Sequence, residues 1–468
     1  MLQRTSSRLG LAISRFFHVT APDPFVLAVL LTVVAALLAL TLGDFPDAPE
    51  GDGPQTVLLD AWRADTGLWR FLAFSMQMCL ILVTGHALAA SRPARAAIDA
   101  LARLPRSGPA GVLLVGVTAA LAGLVNWGLG LIVGALLARE VARSLANRRI
   151  AAHYPVLCAA GYLGLLVWHG GLSGSAPLSV TTTEGAAKVL PPSAMQTLAD
   201  TGIGLDQTLF TPLNLFVSGG LVVLAPLILW MLTPRDPELC RCIDDVADLP
   251  VGEASEPRRP IQTVPEWLER TPPMAWLLAV LLLAAFVRYA RHDGLAALGL
   301  NEINAVMLAL GLILHGSLDS YSKAVTEAAG GCAGIIIQFP LYAGIMAILD
   351  ASGLIAMFAE ALARGGEAGV PLFSFLSAAV VNVFVPSGGG QWGIQGPVAL
   401  EAGYAAGVAP GKMVMAVSYG DQLTNMLQPF WALPLLAITG ARARDIVGYT
   451  ALVMLAAGAW IALGLLLF

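Results

Sequence analysis

The chain has 468 residues, 57% of them hydrophobic and only 12% charged, with a mean hydropathy of +0.75. Soluble domains carry about 25% charged residues, so this composition excludes an ordinary soluble fold and points to a core set in lipid. The formal net charge of -5 is small, and no basic patch with interleaved aromatics marks nucleic acid as a partner.

At the N-terminus, Arg4, Arg8 and Arg15 stand on an amphipathic lead-in. The apolar run after Pro24 lasts about 19 residues, which is enough to span and unlike a cleaved signal peptide. Apolar runs of spanning length fall at 24–43, 68–90, 153–182, 210–233, 272–291, 301–316, 326–349, 413–439 and 446–467. The acidic loop 44–60 is expected outside, and the Pro-, Arg- and acid-rich segment 234–271 is expected to be a cytosolic linker.

Residues 109–138 behave differently. They are apolar but lie between Arg92, Arg95, Arg103 and Arg106 on one side and Arg139, Arg143, Arg148 and Arg149 on the other. Basic residues favour the cytoplasm, so both ends are expected on that face. Thirty residues cannot cross a ~30 Å core twice, because each leg would reach only ~20 Å. The segment is therefore predicted to be a re-entrant hairpin with its tip at Asn126-Trp127-Gly128-Leu129-Gly130.

The second half restates the first. Gln77 matches Gln338, Ala90-Ser91 matches Ala351-Ser352, and the ALAR string at 100–103 matches that at 361–364, all at an offset of 261. The offset is 259 where TAALAGLVNWGLG (118–130) lies on SAAVVNVFVPSGGG (377–390). It is 257 where Tyr162 meets Tyr419 and Pro177-Leu178 meets Pro434-Leu435. Two matching halves with Gly-rich interruptions are the signature of a secondary transporter. The predicted fold class is thus an all-α polytopic membrane protein with two inverted repeats, about nine transmembrane helices and two opposed re-entrant hairpins. The N-terminus is placed in the cytoplasm, where most of the 26 basic residues then fall. The first repeat covers 1–233 and the second 301–468, joined by the linker and a linking span at 272–300. The second hairpin, 371–407, has its tip at Ser387–Gly390, and the ALAR segments are expected to be interfacial collar helices.

A Gly-rich break at membrane depth must line a cavity or pack against protein. A helix N-terminus there offers free N–H donors and partial positive charge, which suits a carboxylate. Asn126, Gly128 and Gly130 at one tip, and Ser387, Gly388, Gly389, Gly390 and Gln391 at the other, are the expected substrate-binding groups. Close helix packing by small residues is the plain alternative. Gln77 and Gln338 would either donate to the same carboxylate or fasten helices. The interrupted segments 153–182 and 413–439 are expected to be broken helices, where Ser173, Ser175, Thr424 and Asn425 would hold a coupling ion. Asp421, a carboxylate well inside a span, is expected to couple transport, with His169 beside the other break as a proton-relay candidate. Structural hydrogen bonding is the simpler reading of both. Trp127, Trp392, Phe430 and Trp431 would wall an apolar pocket. The five cysteines suggest neither a disulfide framework nor a metal centre.

The strings VTGHALAAS (83–91), VNWGLGLIVGALLAREV (125–141), VPSGGGQWGIQGP (385–397) and LQPFWALP (427–434) resemble the bacterial short-chain fatty acid transporters, nearly end to end from APDPF at 21–25. The resemblance implies uptake of acetoacetate, butyrate and similar monocarboxylates, driven by Na+ or H+, and no cofactor. It also implies an elevator-type movement, a homodimer in contact with membrane lipid, and the bacterial inner membrane. The repeated Ser-Asn-Thr tip motif of the sodium symporters in the same superfamily is not found. Another anion symporter or a Na+/H+ exchanger of that superfamily is the alternative. A membrane-embedded enzyme is disfavoured, because six scattered histidines with no HxxxH pair supply no catalytic constellation.

Overall fold

A computed structural model describes residues 2–20, 22–46, 48–181, 186, 202–247, 261–292, 300–354, 357 and 369–468. Every regular element among the described residues is a helix. Among the described residues, six helices are long and apolar enough to cross a bilayer: Pro24–Leu42, Gly108–Val125, Pro212–Leu232, Pro272–His292, Leu318–Ala351 and Ala443–Leu467. Leu72–Leu88, Asn301–His315, Val370–Phe384 and Pro429–Thr439 are apolar but shorter. Prolines open helices at Pro24, Pro54, Pro212, Pro272, Pro410 and Pro429, where the fixed φ suits the first turn and no N–H is lost. The Pro429–Thr439 helix stops at Gly440, whose φ of +68° only glycine adopts without strain.

The two halves run through the same order of elements. Leu72–Ala90 is followed by the hairpin helices Gly108–Val125 and Trp127–Asn147, then by an interrupted segment from Tyr154. Ala333–Ala351 is followed by Val370–Phe384 and Gly388–Ala405, then by an interrupted segment from Pro410. The segment of the first expected collar is helical at Arg92–Ala102, and the second ALAR string lies outside the described residues.

The legs of the first hairpin are longer than the spacing of the basic clusters predicts. The first hairpin's helices have 18 and 21 residues, so each reaches about 27–31 Å rather than ~20 Å. The second leg continues past Arg139 because that charge is accommodated. Arg139 pairs with Glu140 at 2.9 Å and reaches the Ile438 carbonyl at 3.2 Å. Leg length therefore does not make this hairpin re-entrant.

Glycine sets how tightly the hairpin closes. A Cβ on Gly130 would lie 2.6 Å from Cα of Gly123, and one on Gly123 would lie 2.5 Å from the Gly164 carbonyl oxygen. These glycines let two backbones meet, the small-residue packing common in membranes. Gly123→Val is expected to destabilise the fold by about 1–3 kcal/mol or more, seen as a lower unfolding temperature in detergent.

At the linker end of the molecule, Arg241 bonds Asp445 at 2.8 Å and gives its backbone N–H to His153 Nδ1 at 3.1 Å. Burial, with Cys242 and Asp236 beside it, pushes the Cys240 thiol up to about 11. All five cysteines are free, and no group of three or more metal-ligating side chains gathers among the described residues.

Candidate functional site

The two interrupted segments meet. The Tyr154–Gly161 helix gives way to 3-10 turns at Leu163–Leu166 and Trp168–Gly170, then to the short helix Ser175–Ser179. Pro410–Thr424 gives way to the turn Asn425–Leu427 before Pro429, which has no N–H to continue a helix. Repeat-related tyrosines tie the breaks together crosswise. Tyr162 donates to the Asn425 and Gln428 carbonyls at 2.9 and 3.1 Å. Tyr419 donates to Asn214 Oδ1 at 3.1 Å, and Asn214 donates to the Gly170 carbonyl at 2.9 Å.

His169 and Asp421 face each other at this junction, 1% and 2% exposed. The imidazole Nδ1 is 3.1 Å from the Ser418 carbonyl and 3.7 Å from Asp421 Oδ1. The His169 backbone N–H donates to Gln422 Oε1 at 3.2 Å. His169 Nε2, Asp421 Oδ2, Gln422 Nε2, Asn425 Nδ2 and Trp168 Nε1 are buried without a hydrogen-bond partner among the described residues. Buried polar atoms are nearly always paired, so this concentration makes the junction a candidate site.

The two hairpin tips differ. At the first, Asn126 Oδ1 accepts from the N–H groups of Gly128 and Leu129 at 2.9 and 3.3 Å, and its carbonyl accepts from Gly130 at 2.9 Å. Trp127 N–H donates to Ser173 Oγ at 3.0 Å. The donors at this tip are thus taken by the protein, and Gly130 packs on Gly123. Asn126→Ala is expected to cost about 0.5–2 kcal/mol of stability through loss of the cap, measured by thermal unfolding.

At the second tip, Ser387 caps only Gly390, at 3.2 Å, and its carbonyl accepts from Gln391 at 2.7 Å. The N–H groups of Gly388 and Gly389 open the Gly388–Ala405 helix with no partner among the described residues. The chemistry of the caps explains the difference: the Asn126 side-chain oxygen takes two amides, the Ser387 hydroxyl one. Gly388 is buried against the other half, where an added Cβ would lie 2.6 Å from His169 Nε2. Gly389 is exposed, and an added Cβ would meet nothing within 4 Å.

Other expected residues fall further out. Gln391 is buried inside its own hairpin, donating to the Ala378 carbonyl at 2.8 Å and to Gln395 at 2.7 Å. Gln77 bonds Asn301 at 2.8 Å on an exposed face, whereas its repeat mate Gln338 is buried with Oε1 unpaired. Ser175 begins the short helix after the first break. Trp127, Trp168, Phe430 and Trp431 form one aromatic cluster, with Trp127 and Trp431 centroids 5.1 Å apart. Trp392 does not join it and packs in a separate apolar cluster with Ala176 and Val180.

Thr424 and Asn425 reveal a residue that sequence reasoning missed. Asn382, on the first leg of the second hairpin, aims its amide nitrogen at the Asp421 carbonyl (2.6 Å), Thr424 Oγ1 (3.0 Å) and Asn425 Oδ1 (3.0 Å). The centre of these oxygens is occupied by an N–H donor, and Gln428 in turn donates to the Asn382 carbonyl. A lone Asn in the apolar string AAVVNVF (378–384) was the available signal.

Comparison with known proteins supplies the context for this geometry. The model of the family described as short chain fatty acid transporter matches residues 1–468. A protein of Escherichia coli K12 is 37% identical over 464 residues, covering 98% of this chain and 99% of its own. One of Haemophilus influenzae is 36% identical over 459 residues, covering 97% and 98%. The names of both assign them as short-chain fatty acid transporters. Among solved structures, the Alcanivorax borkumensis YdaH transporter aligns over 95% of this chain and 97% of its own, at 17% identity and a TM-score of 0.43.

Proposed function

Because the chain belongs to the short-chain fatty acid transporter family, a family of membrane transporters and not enzymes, we propose that it imports acetoacetate, butyrate and similar small monocarboxylates against a gradient. One observation carries the reading of the site: the unpartnered Gly388 and Gly389 N–H groups open a helix beside buried, unpaired polar atoms of the opposite half. The carboxylate would take these donors, strengthened by the helix dipole. The short acyl tail would lie toward the nearby aromatic side chains. Asp421 and its neighbours would provide the coupling.

The wider architecture is proposed on the same footing. Matching element order and repeat offsets support two inverted repeats whose hairpins enter from opposite faces, nine spans when shorter and broken helices are counted, and an elevator-type movement. The distribution of basic residues supports a cytoplasmic N-terminus in a bacterial inner membrane. A homodimer is the expected assembly.

Uptake of labelled acetoacetate and butyrate into proteoliposomes tests the substrate. Saturable accumulation above protein-free liposomes, inhibited by either acid, is expected. Movement of cations or of unrelated anions with no response to either acid would support the exchanger or another symporter instead.

A further inference from the structure

We infer that His169 Nε2 carries the coupling proton, so that one proton travels with each monocarboxylate; this rests on the substrate reading above and names its driving ion. The tautomer of His169 follows from its neighbours. Both groups that Nδ1 faces, the Ser418 carbonyl at 3.1 Å and Asp421 Oδ1 at 3.7 Å, are acceptors. Nδ1 is therefore the protonated nitrogen, an assignment made from its hydrogen-bonding neighbours, and the neutral ring presents a lone pair at Nε2.

That lone pair points at the second hairpin tip. Nε2 is buried, has no partner among the described residues, and lies 2.6 Å from where a Gly388 Cβ would stand. A carboxylate bound by the Gly388 and Gly389 N–H groups brings an oxygen close to it. Two acceptors then face each other with nothing between them, and the anion is rejected. Protonation at Nε2 converts the same contact into a charge-assisted hydrogen bond. Binding of anion and of proton thus require one another, and mutual dependence of this kind is what coupling consists of.

Two neighbours can offset the charge of the imidazolium. Asp421 lies behind Nδ1, and the Trp168 ring lies over the imidazole with centroids 3.7 Å apart, a position suited to a cation. Of the other titratable groups on Pro410–Thr424, Tyr419 is committed to Asn214 and Lys412 lies about 13 Å back along the helix. Gly108–Val125 and Ser175–Ser179, which also pack against the turn, carry no titratable side chain. A sodium ion has fewer oxygens to bind, because the Asp421 backbone carbonyl, Thr424 Oγ1 and Asn425 Oδ1 converge on the Asn382 amide nitrogen, which leaves only the Asp421 carboxylate from that group.

The step balances simply. A proton from water on the uptake side forms the Nε2–H bond, that N–H donates to the carboxylate, and both are released to the other side. The ring returns to its neutral form.

The test is proton stoichiometry in proteoliposomes, counting only the protein-dependent, saturable component, because butyric acid also crosses bare lipid. An inside-alkaline pH gradient without sodium should drive accumulation, a sodium gradient without a pH gradient should not, and one proton should enter per butyrate. His169→Gln, checked for monodispersity by size exclusion, should lose pH-driven accumulation at least tenfold. Sodium-driven accumulation in the wild type, or wild-type pH-driven accumulation by His169→Gln, would overturn the proposal while leaving the substrate intact. Absence of any saturable monocarboxylate flux under either gradient would instead sink the substrate reading.

Discussion

Asp421→Asn is expected to reduce gradient-driven butyrate accumulation at least tenfold while leaving membrane insertion and folded yield close to wild type. The substitution keeps the shape of a side chain that is 2% exposed and whose Oδ2 has no partner, so packing gives little reason for unfolding. What it removes is charge. Opposite unit charges about 4 Å apart interact by about 4 kcal/mol at an effective dielectric constant of 20. Asp421 Oδ1 stands 3.7 Å from the His169 ring, so even a third of that figure alters proton affinity at the ring by about tenfold. An isolated carboxylate at membrane depth also costs about 2.5–3.5 kcal/mol on insertion scales, so its presence without a function would be hard to account for. Unchanged accumulation by a properly folded Asp421→Asn protein would remove this residue from coupling.

The second large effect separates two adjacent glycines. Gly388→Ala places a methyl 2.6 Å from His169 Nε2 and 2.8 Å from Trp168, so the hairpin tip and the first break are forced apart. Uptake of every monocarboxylate should fall at least tenfold, and the pH response with it. Gly389→Ala adds a methyl that meets no protein atom within 4 Å, so the protein should fold and unfold like wild type. The methyl nevertheless projects beside the proposed carboxylate donors. A misplaced methyl in a binding site is worth about 1–3 kcal/mol, so KM for butyrate should rise at least tenfold. Wild-type KM in Gly389→Ala would argue that the substrate lies elsewhere.

Much of this arrangement was legible in the chain, and the exceptions have physical causes. The tip positions could be read because glycine runs inside apolar stretches are hard to place anywhere but against protein or a cavity. What composition could not show was which amides remain free. Asn126 and Ser387 look alike as caps, yet one takes two N–H groups and the other one. Gln391 and Gln77 were plausible carboxylate donors by position, but their amides are satisfied by Gln395 and Asn301. Tyr162 and Tyr419 were visible as repeat mates, whereas their crossed hydrogen bonds depend on tertiary contact between the halves. The first hairpin is longer than its basic flanks suggest, because Arg139 does not end the helix. Its pairing with Glu140 lets the helix run on to Asn147.

Substrate protection at the second tip tests most directly where the acid binds. Gly393, one turn beyond Gly389, is exposed with nothing within 4 Å of an added Cβ, so Gly393→Cys should be tolerated in a background lacking the five native cysteines. In a transport-competent preparation, saturating butyrate should slow maleimide labelling of that cysteine several-fold, and n-butylamine should not. Equal labelling rates with and without butyrate would show that the acid does not bind where the Gly388–Ala405 helix begins.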